Sequence, residues 1–279
     1  MNISSRILST PPTSLGLLEL RALADAAYLP GTMLDVAFRK NQDLGKGRHV
    51  CVLPGFGAND RAMLPLRYFL SRHGFKAFGW GLGLNKAGLD LPHSASDINW
   101  QFKSTAPENG ETGVPYLCEL MTQRIHAYAN EKEVPVTLVG WSLGGTIARE
   151  VARDLPGNVD QVITLGSPVI GGPKYTKAAP ILRRRGLNLD WIESEVEHRN
   201  RLPIKQPVSA IVSKTDGVVD WSASIQEGDH STNYIVEDVA HLGMGINRSI
   251  MNTVLRELCS LPKLKKESNA DNLGDEVCS

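Results

Sequence analysis

The chain has 279 residues, and its 42% hydrophobic and 22% charged residues are ordinary values for a globular protein. Its 30 Lys and Arg residues balance its 30 Asp and Glu residues, and a net charge of zero argues against a nucleic-acid-binding surface. We find no apolar stretch of transmembrane length and no N-terminal secretion signal, so we expect a soluble, cytoplasmic protein.

The four cysteines form no metal-binding or disulfide pattern. Cys51 lies in an apolar run and Cys118 in a predicted helix, so both are expected to be buried free thiols. For the other two, a disulfide between Cys259 and Cys278 is an alternative that no spacing supports. No H-E-x-x-H or similar cluster appears, and we expect neither a metal nor a cofactor.

The first predicted element is an amphipathic helix over residues 15–28, where apolar residues recur at helical spacing. Ser14 is a suitable N-cap, and Pro30 follows the predicted end. The polar face of this helix lacks a basic stripe, which disfavours binding to a membrane surface. We expect residues 1–47 to form a helical segment that packs on the main domain.

The main domain begins with the apolar run His49–Leu53, which ends at Pro54-Gly55-Phe56-Gly57 and predicts a buried parallel strand. A helix over 60–73 and a strand over 76–80 follow. Residues 81–113 show no clear period, and a segment this long is usually a functional loop. Its leucines either wall a binding cleft or anchor the loop to the core.

A β-branched apolar run, Val136–Val139, stops at Gly140, and Ser142 follows two residues later, before a predicted helix over 143–155. Strand, G-x-S-x-G and helix in this order are typical of a nucleophile elbow, a tight turn that exposes the serine Oγ above the sheet. The turn strains the serine backbone, and glycines on both sides of the serine avoid a clash there. Ser142 is therefore the predicted nucleophile.

The other predicted elements alternate between strands and helices, which favours a mostly parallel sheet covered on both faces. They are helices over 114–131, 177–185, 190–201 and 246–258, and strands over 161–165, 208–213 and 233–236. The helices over 177–185 and 190–201 lie between the strands over 161–165 and 208–213, in a connection too long for a simple crossover. We therefore expect a small helical cap over about 172–206. This α/β domain spans 48–262, and residues 263–279 are expected to be a disordered tail.

A serine hydroxyl needs a base within hydrogen-bond reach and a third group that orients the base. After a nucleophile elbow, the acid and then the histidine are expected on loops that follow strands. Asp216 follows the strand over 208–213, and His241 follows the strand over 233–236, so they are the predicted partners of Ser142. The alternatives for the acid are Asp220, Glu237 and Asp238.

The oxyanion formed in such a reaction needs two preorganised donors. The backbone N–H of Leu143, directly after the nucleophile, is one predicted donor, and the backbone N–H of Phe56 is the other. Gly55 and Gly57 let the Phe56 loop bend towards a substrate, and Trp141 borders the nucleophile. We therefore assign these last three residues to substrate binding.

Together these motifs resemble those of the α/β-hydrolase superfamily, of the serine esterase and lipase type, over about residues 48–260. The matching segments, in the family's order, are Pro54-Gly55-Phe56-Gly57, Gly140-Trp141-Ser142-Leu143-Gly144-Gly145, Asp216-Gly217-Val218-Val219 and His241-Leu242-Gly243. One departure is Pro54, which stands where many members carry a histidine. The resemblance implies an α/β-hydrolase fold, and the small space before residue 48 implies a shortened sheet.

The predicted function is hydrolysis of a carboxylic ester, from a small molecule or a lipid, through an acyl-enzyme intermediate. An acyltransferase with the same three side chains is the main alternative, because it differs only in the acceptor of the acyl group. A protein that uses the hydrolase fold for binding alone is a second alternative, which a complete triad disfavours. The acyl-chain length and the oligomeric state are left open.

Overall fold

The computed structural model describes residues 8–38, 43–91 and 113–260. Its strands are β1 (His49–Leu53), β2 (Lys76–Gly79), β3 (Val136–Trp141), β4 (Val159–Leu165), β5 (Val208–Ser213) and β6 (Ser231–Val236). They form one six-stranded sheet in the order β2-β1-β3-β4-β5-β6, and every neighbouring pair is parallel. The predicted α/β class with a mostly parallel sheet is confirmed.

Helices cover both faces of the sheet. In the described parts of the chain they are α1 (Thr13–Leu18), α2 (Arg21–Phe38), α3 (Leu64–Arg72), α4 (Gly113–Lys132), α5 (Leu143–Asp154), α6 (Ala179–Arg184), α7 (Leu189–Asn200) and α8 (Arg248–Ser260). Val50 and Val52 of β1 pack in an apolar core with α2, α3 and α8, whereas Cys51 and Leu53 pack in a second core with α4 and α5. Because successive strand residues point to opposite faces, a strand that is buried on both faces of the sheet needs an uninterrupted run of apolar residues.

The strand order reverses at β1, because β2 lies on one side of it and β3 on the other. In open parallel sheets, ligands bind beyond the carboxyl ends of the strands at such a reversal. β1 leads into the loop that contains Phe56, and β3 leads into Ser142. The predicted nucleophile and the predicted oxyanion loop therefore emerge side by side at the reversal.

The N-terminal region differs from the prediction of one helix over residues 15–28. It consists of α1 and α2, and α2 continues through Pro30 for two more turns. A proline inside a helix removes a hydrogen bond and costs ~3 kcal/mol, which is why the prediction ended the helix there. The helix continues because Leu29, Met33 and Val36 all pack against the first apolar core.

Cys51 and Cys118 are buried free thiols, as predicted, and burial raises the pKa of both. Cys278, residues 92–112 of the predicted loop and the predicted tail lie outside the described residues. In the part of the chain that is described, no helix is long and apolar enough to cross a membrane. The domain boundaries and the cytoplasmic location stay predictions.

Candidate active site

Ser142 occupies a sharp turn between β3 and α5. Its backbone angles, φ 54° and ψ −126°, lie in a region that residues with a side chain rarely adopt. The Ser142 N–H donates to the carbonyl of Leu165 at the end of β4, at 2.8 Å. The neighbouring strand therefore holds a backbone conformation that costs on the order of 1–3 kcal/mol.

Three glycines make this turn sterically possible. A Cβ on Gly140 would overlap the backbone of Gly144 and Gly145 on the far side of the turn. A Cβ on Gly144 would meet the carbonyl of Leu53, and one on Gly145 would meet the Ser167 hydroxyl. The glycines of the G-x-S-x-G-G segment are thus explained by close backbone approach, as the sequence predicted.

The predicted acid and the predicted histidine form a buried hydrogen-bonded pair. Asp216 Oδ2 lies 2.7 Å from Nδ1 of His241, and each residue is only 2% exposed. The other carboxylate oxygen, Oδ1, accepts from the backbone N–H groups of Val218 and Val219 at 2.8 and 2.7 Å. The turn after β5 therefore fixes the carboxylate, and the carboxylate fixes the imidazole.

The surroundings of His241 act on its pKa in opposite directions. Burial lowers the pKa, whereas the charge of Asp216, its hydrogen bond and the charge of Glu19 all raise it. The acidic groups outweigh burial, so the pKa lies above the usual value of 6.5. The site thus stabilises a protonated imidazole, which is what a general base becomes during a reaction.

The alternative acids lie elsewhere. Asp220 accepts hydrogen bonds from the backbone N–H groups of Ser222 and Ser9, as a turn residue does. The Glu237 carboxylate, 70% exposed, pairs with Lys214, and the Asp238 carboxylate, 83% exposed, pairs with Arg21. Of the four predicted candidates, Asp216 is the one bonded to the imidazole.

Trp141 brings the serine turn and the histidine loop together. Its indole N–H donates to the carbonyl of His241 at 3.1 Å, and the two ring centroids are 5.7 Å apart. In the described residues, the Ser142 hydroxyl makes no hydrogen bond to the imidazole. Such bonds are often long without a substrate and tighten when one binds.

The predicted oxyanion loop lies against the serine. A Cβ on Gly55 would be 3.1 Å from Ser142 Cβ, which shows how closely the loop approaches the turn. The Phe56 side chain is 53% exposed. Leu143 is the first residue of α5, so its N–H has no acceptor within the helix. Gly55 of the loop and Leu143 of α5 thus both adjoin Ser142, and the oxyanion role of the Phe56 and Leu143 N–H groups stays a prediction.

Asn85 is a residue that the sequence analysis missed. It is fully buried, and its side-chain amide donates to the carbonyl of Pro54 at 2.9 Å. Its backbone N–H donates to the carbonyl of Ala58 at 2.8 Å, and its carbonyl accepts from the backbone N–H of Gly57 at 2.7 Å. Gly57 has a φ of +73°. Asn85 thus braces both ends of the Phe56 loop, a role that no local motif marks.

Several solved structures share this fold. A lipase-esterase related protein from Clostridium acetobutylicum has a TM-score of 0.50 and 18% identity, over 77% of this chain and 94% of that protein. A monoacylglycerol lipase from Paleococcus ferrophilus has a TM-score of 0.50 and 16% identity, over 77% and 96%. A lipase from Bacillus licheniformis has a TM-score of 0.54 and 12% identity, over 77% and 93%.

No protein-family model and no curated protein sequence matches the chain. These solved structures are 12 to 18% identical to the chain in sequence, and structural similarity at this level establishes the fold alone. The chain therefore has the α/β-hydrolase fold, as its motifs predicted. Proteins with one fold carry out many different reactions, and the residues of the site determine which.

Proposed function

We propose that this protein is a serine hydrolase that cleaves carboxylic esters through an acyl-enzyme intermediate. The supporting observation is the buried Asp216–His241 pair beside the strained turn of Ser142. The fold adds support, because structures that share it are named as lipases and as a lipase-esterase related protein. A nucleophile, an oriented base and two N–H donors at one sheet edge are the parts that acyl transfer requires.

In the proposed first step, His241 Nε2 accepts the hydroxyl proton of Ser142 while Oγ bonds to the ester carbonyl carbon. The carbonyl oxygen becomes an oxyanion, which the N–H groups of Phe56 and Leu143 stabilise. The intermediate then collapses, and the alcohol leaves with the proton from His241. Water attacks the acyl-enzyme by the same steps in reverse and releases the acid.

The apolar surface beside the site favours an ester with an apolar acyl or alcohol group. Phe56 carries a proposed oxyanion donor and Leu242 directly follows His241 in the chain, and both apolar residues are 53% exposed. The segments 54–58 and 242–245 carry no basic residue that would favour a charged substrate. We therefore propose a neutral small-molecule or lipid ester as the substrate class.

Replacement of the nucleophile tests the proposal. Ser142→Ala should lower hydrolysis of p-nitrophenyl acyl esters by about 10⁴-fold or more, because no other group can form the acyl-enzyme. It should also abolish labelling by a fluorophosphonate. The control is Ser71→Ala, which removes an exposed hydroxyl from α3 and should leave both measurements unchanged.

Undiminished labelling of Ser142→Ala would exclude Ser142 as the nucleophile. The acyltransferase alternative is tested in the wild-type protein by adding a competing alcohol, amine or thiol. Transfer of most of the acyl group to that acceptor, in place of release as the acid, would reassign the reaction. A series of acyl-chain lengths in the same assay defines the substrate.

A further inference from the structure

Glu19 joins the loop that carries Asp216 to the loop that carries His241. It lies between α1 and α2, and its Oε1 accepts from the backbone N–H of Gly217 at 2.8 Å and of His241 at 2.9 Å. Its Oε2 accepts from the backbone N–H of Leu242, also at 2.9 Å. One carboxylate from the N-terminal region thus binds both loops at their tips.

The N-terminal region contacts these loops directly because each has a glycine at the contact. A Cβ on Gly217 would meet the carbonyl of Leu15, and one on Gly243 would meet the carboxylate of Asp25. Asp25 also accepts a hydrogen bond from the Asn247 side chain, at 2.8 Å. Close packing therefore continues from the acid loop to the segment just before α8.

We propose that Glu19 is a positioning residue, which holds the acid loop and the histidine loop at the spacing that the Asp216–His241 hydrogen bond requires. This inference rests on the proposed function. The two loops leave different strands, β5 and β6, and loops move more than the strands that carry them. Three charge-assisted hydrogen bonds to one carboxylate restrain both loops together. Glu19 binds backbone groups of the loops, so it acts through Asp216 and His241.

Glu19 also places negative charge near the imidazole. Burial lowers the pKa of His241, and the charges of Asp216 and Glu19 raise it. Asp25 is a further acidic group that α2 presents to the same loop. A general base must be neutral, so activity rises as pH increases through the pKa of His241. Removing the charge of Glu19 lowers this pKa and moves the acidic limb of the pH–rate profile to lower pH.

The test compares Glu19→Gln with wild type in ester hydrolysis. Glutamine keeps the shape but turns an NH₂ group towards a backbone N–H, so one or more donors lose their acceptor. We expect kcat to fall ~10- to 100-fold with little change in KM, because the catalytic groups move and the substrate contacts do not. The acidic limb of kcat/KM should move to lower pH, and Glu19→Ala should lower kcat further.

Asp35→Asn is the matched control. Asp35 lies on α2, in the same N-terminal region, and pairs with Arg248 of α8 at 2.6 Å, so the variant loosens the contact between this region and α8. We expect this variant to keep wild-type kcat and the wild-type acidic limb. If Glu19→Gln does not fold, Glu19→Asp keeps the charge and shortens the reach. Its kcat should fall while the acidic limb stays in place.

An NMR titration of His241 gives a readout that does not depend on catalysis. Glu19→Gln should lower the pKa of His241 and shift its Nδ1 proton signal, and Asp35→Asn should do neither. Wild-type kcat and pKa in folded Glu19→Gln would overturn the positioning role and leave the proposed function intact. If wild type neither hydrolyses esters nor reacts with a fluorophosphonate, the proposed function is wrong. In that case the NMR titration still tests whether Glu19 positions His241, because it does not depend on ester hydrolysis.

Discussion

The Asp216 carboxylate divides its oxygens between the imidazole and the backbone. Two backbone N–H groups hold Oδ1, so the direction from which Oδ2 meets His241 is fixed. A carboxylate is only an acceptor, so this bond places the proton on Nδ1 and leaves the lone pair of Nε2 available. In the proposed reaction, the pair thus sets which nitrogen would accept the Ser142 proton, before any substrate arrives.

Asp216→Asn tests this division of roles. The amide oxygen still accepts from the backbone, so the fold should be retained. The amide NH₂ now faces Nδ1, which favours the tautomer with its proton on Nε2 and removes the base. We expect kcat for p-nitrophenyl esters to fall by about 10⁴-fold. The measurement is steady-state hydrolysis, with circular dichroism to check folding.

Asp220→Asn is the control for this prediction. Asp220 lies four residues further along the same turn, and its carboxylate accepts only backbone hydrogen bonds among the described residues. Its kcat should stay near the wild-type value. A loss in Asp220→Asn as large as that in Asp216→Asn would make Asp220 the orienting acid.

At the scale of elements, features set by neighbouring residues were predictable. The strand predicted over 208–213 coincides with β5, in which every residue is buried. The glycine spacing around Ser142 predicted a strand–turn–helix for the same local reason. The end of α2 was not predictable, because packing against α3 and α8, which are distant in sequence, decides it. Val36 of α2 shares one apolar core with Leu70 of α3 and Met251 of α8.

The braces of the site were also beyond prediction from the sequence. Asn85 bonds Pro54 across 31 residues, and Glu19 bonds the N–H of His241 across 222 residues. Neither residue belongs to a motif, and Asn and Glu are common on protein surfaces. Only the folded chain brings them to the proposed catalytic loops.

Asn85→Ala tests the brace on the Phe56 loop. The Pro54 carbonyl loses its donor, and the loop that carries the predicted oxyanion donor becomes free to shift. We expect kcat to fall ~10- to 100-fold, less than the loss of a complete oxyanion donor. Ester hydrolysis and the rate of fluorophosphonate labelling measure the effect.

The control for the loop prediction is Asn130→Ala. Asn130 is an exposed amide on α4, where alanine favours the helix, so kcat should not change. Wild-type kcat in a folded Asn85→Ala variant would mean that the Phe56 loop keeps its geometry without this brace. The backbone hydrogen bonds of Asn85 with Gly57 and Ala58 would then be enough to hold the loop that carries the proposed Phe56 donor.

At the scale of the whole molecule, buried charges join the predicted cap to the helix that follows the nucleophile. Arg199 of α7 is 4% exposed, and its Nε donates to Glu150 of α5 at 2.6 Å. Its Nη2 donates to Asp154 at 3.0 Å. Burial raises the pKa of Glu150, but Arg153 and Arg199 outweigh burial and hold the pKa below its usual value. The apolar pattern of the sequence predicted both helices and gave no sign of this contact.

Arg199→Ala should destabilise the whole protein, because it removes one partner of the buried Glu150 carboxylate and of the partly exposed Asp154 carboxylate. Removing one member of a buried ion pair costs about 3–5 kcal/mol, and urea unfolding at neutral pH measures the loss. Arg201→Ala is the control, since Arg201 is exposed and makes no ion pair in the described residues. The ionised Glu150 stabilises the folded state above its unfolded-state pKa, and this stabilisation is lost as pH falls through its lowered folded-state pKa. The difference in the free energy of unfolding between Arg199→Ala and wild type should therefore shrink in acid. An Arg199→Ala variant as stable as wild type at neutral pH would show that the remaining contacts, such as the hydrogen bond from Arg149 to Asn200, hold α7 on α5 without this ion pair.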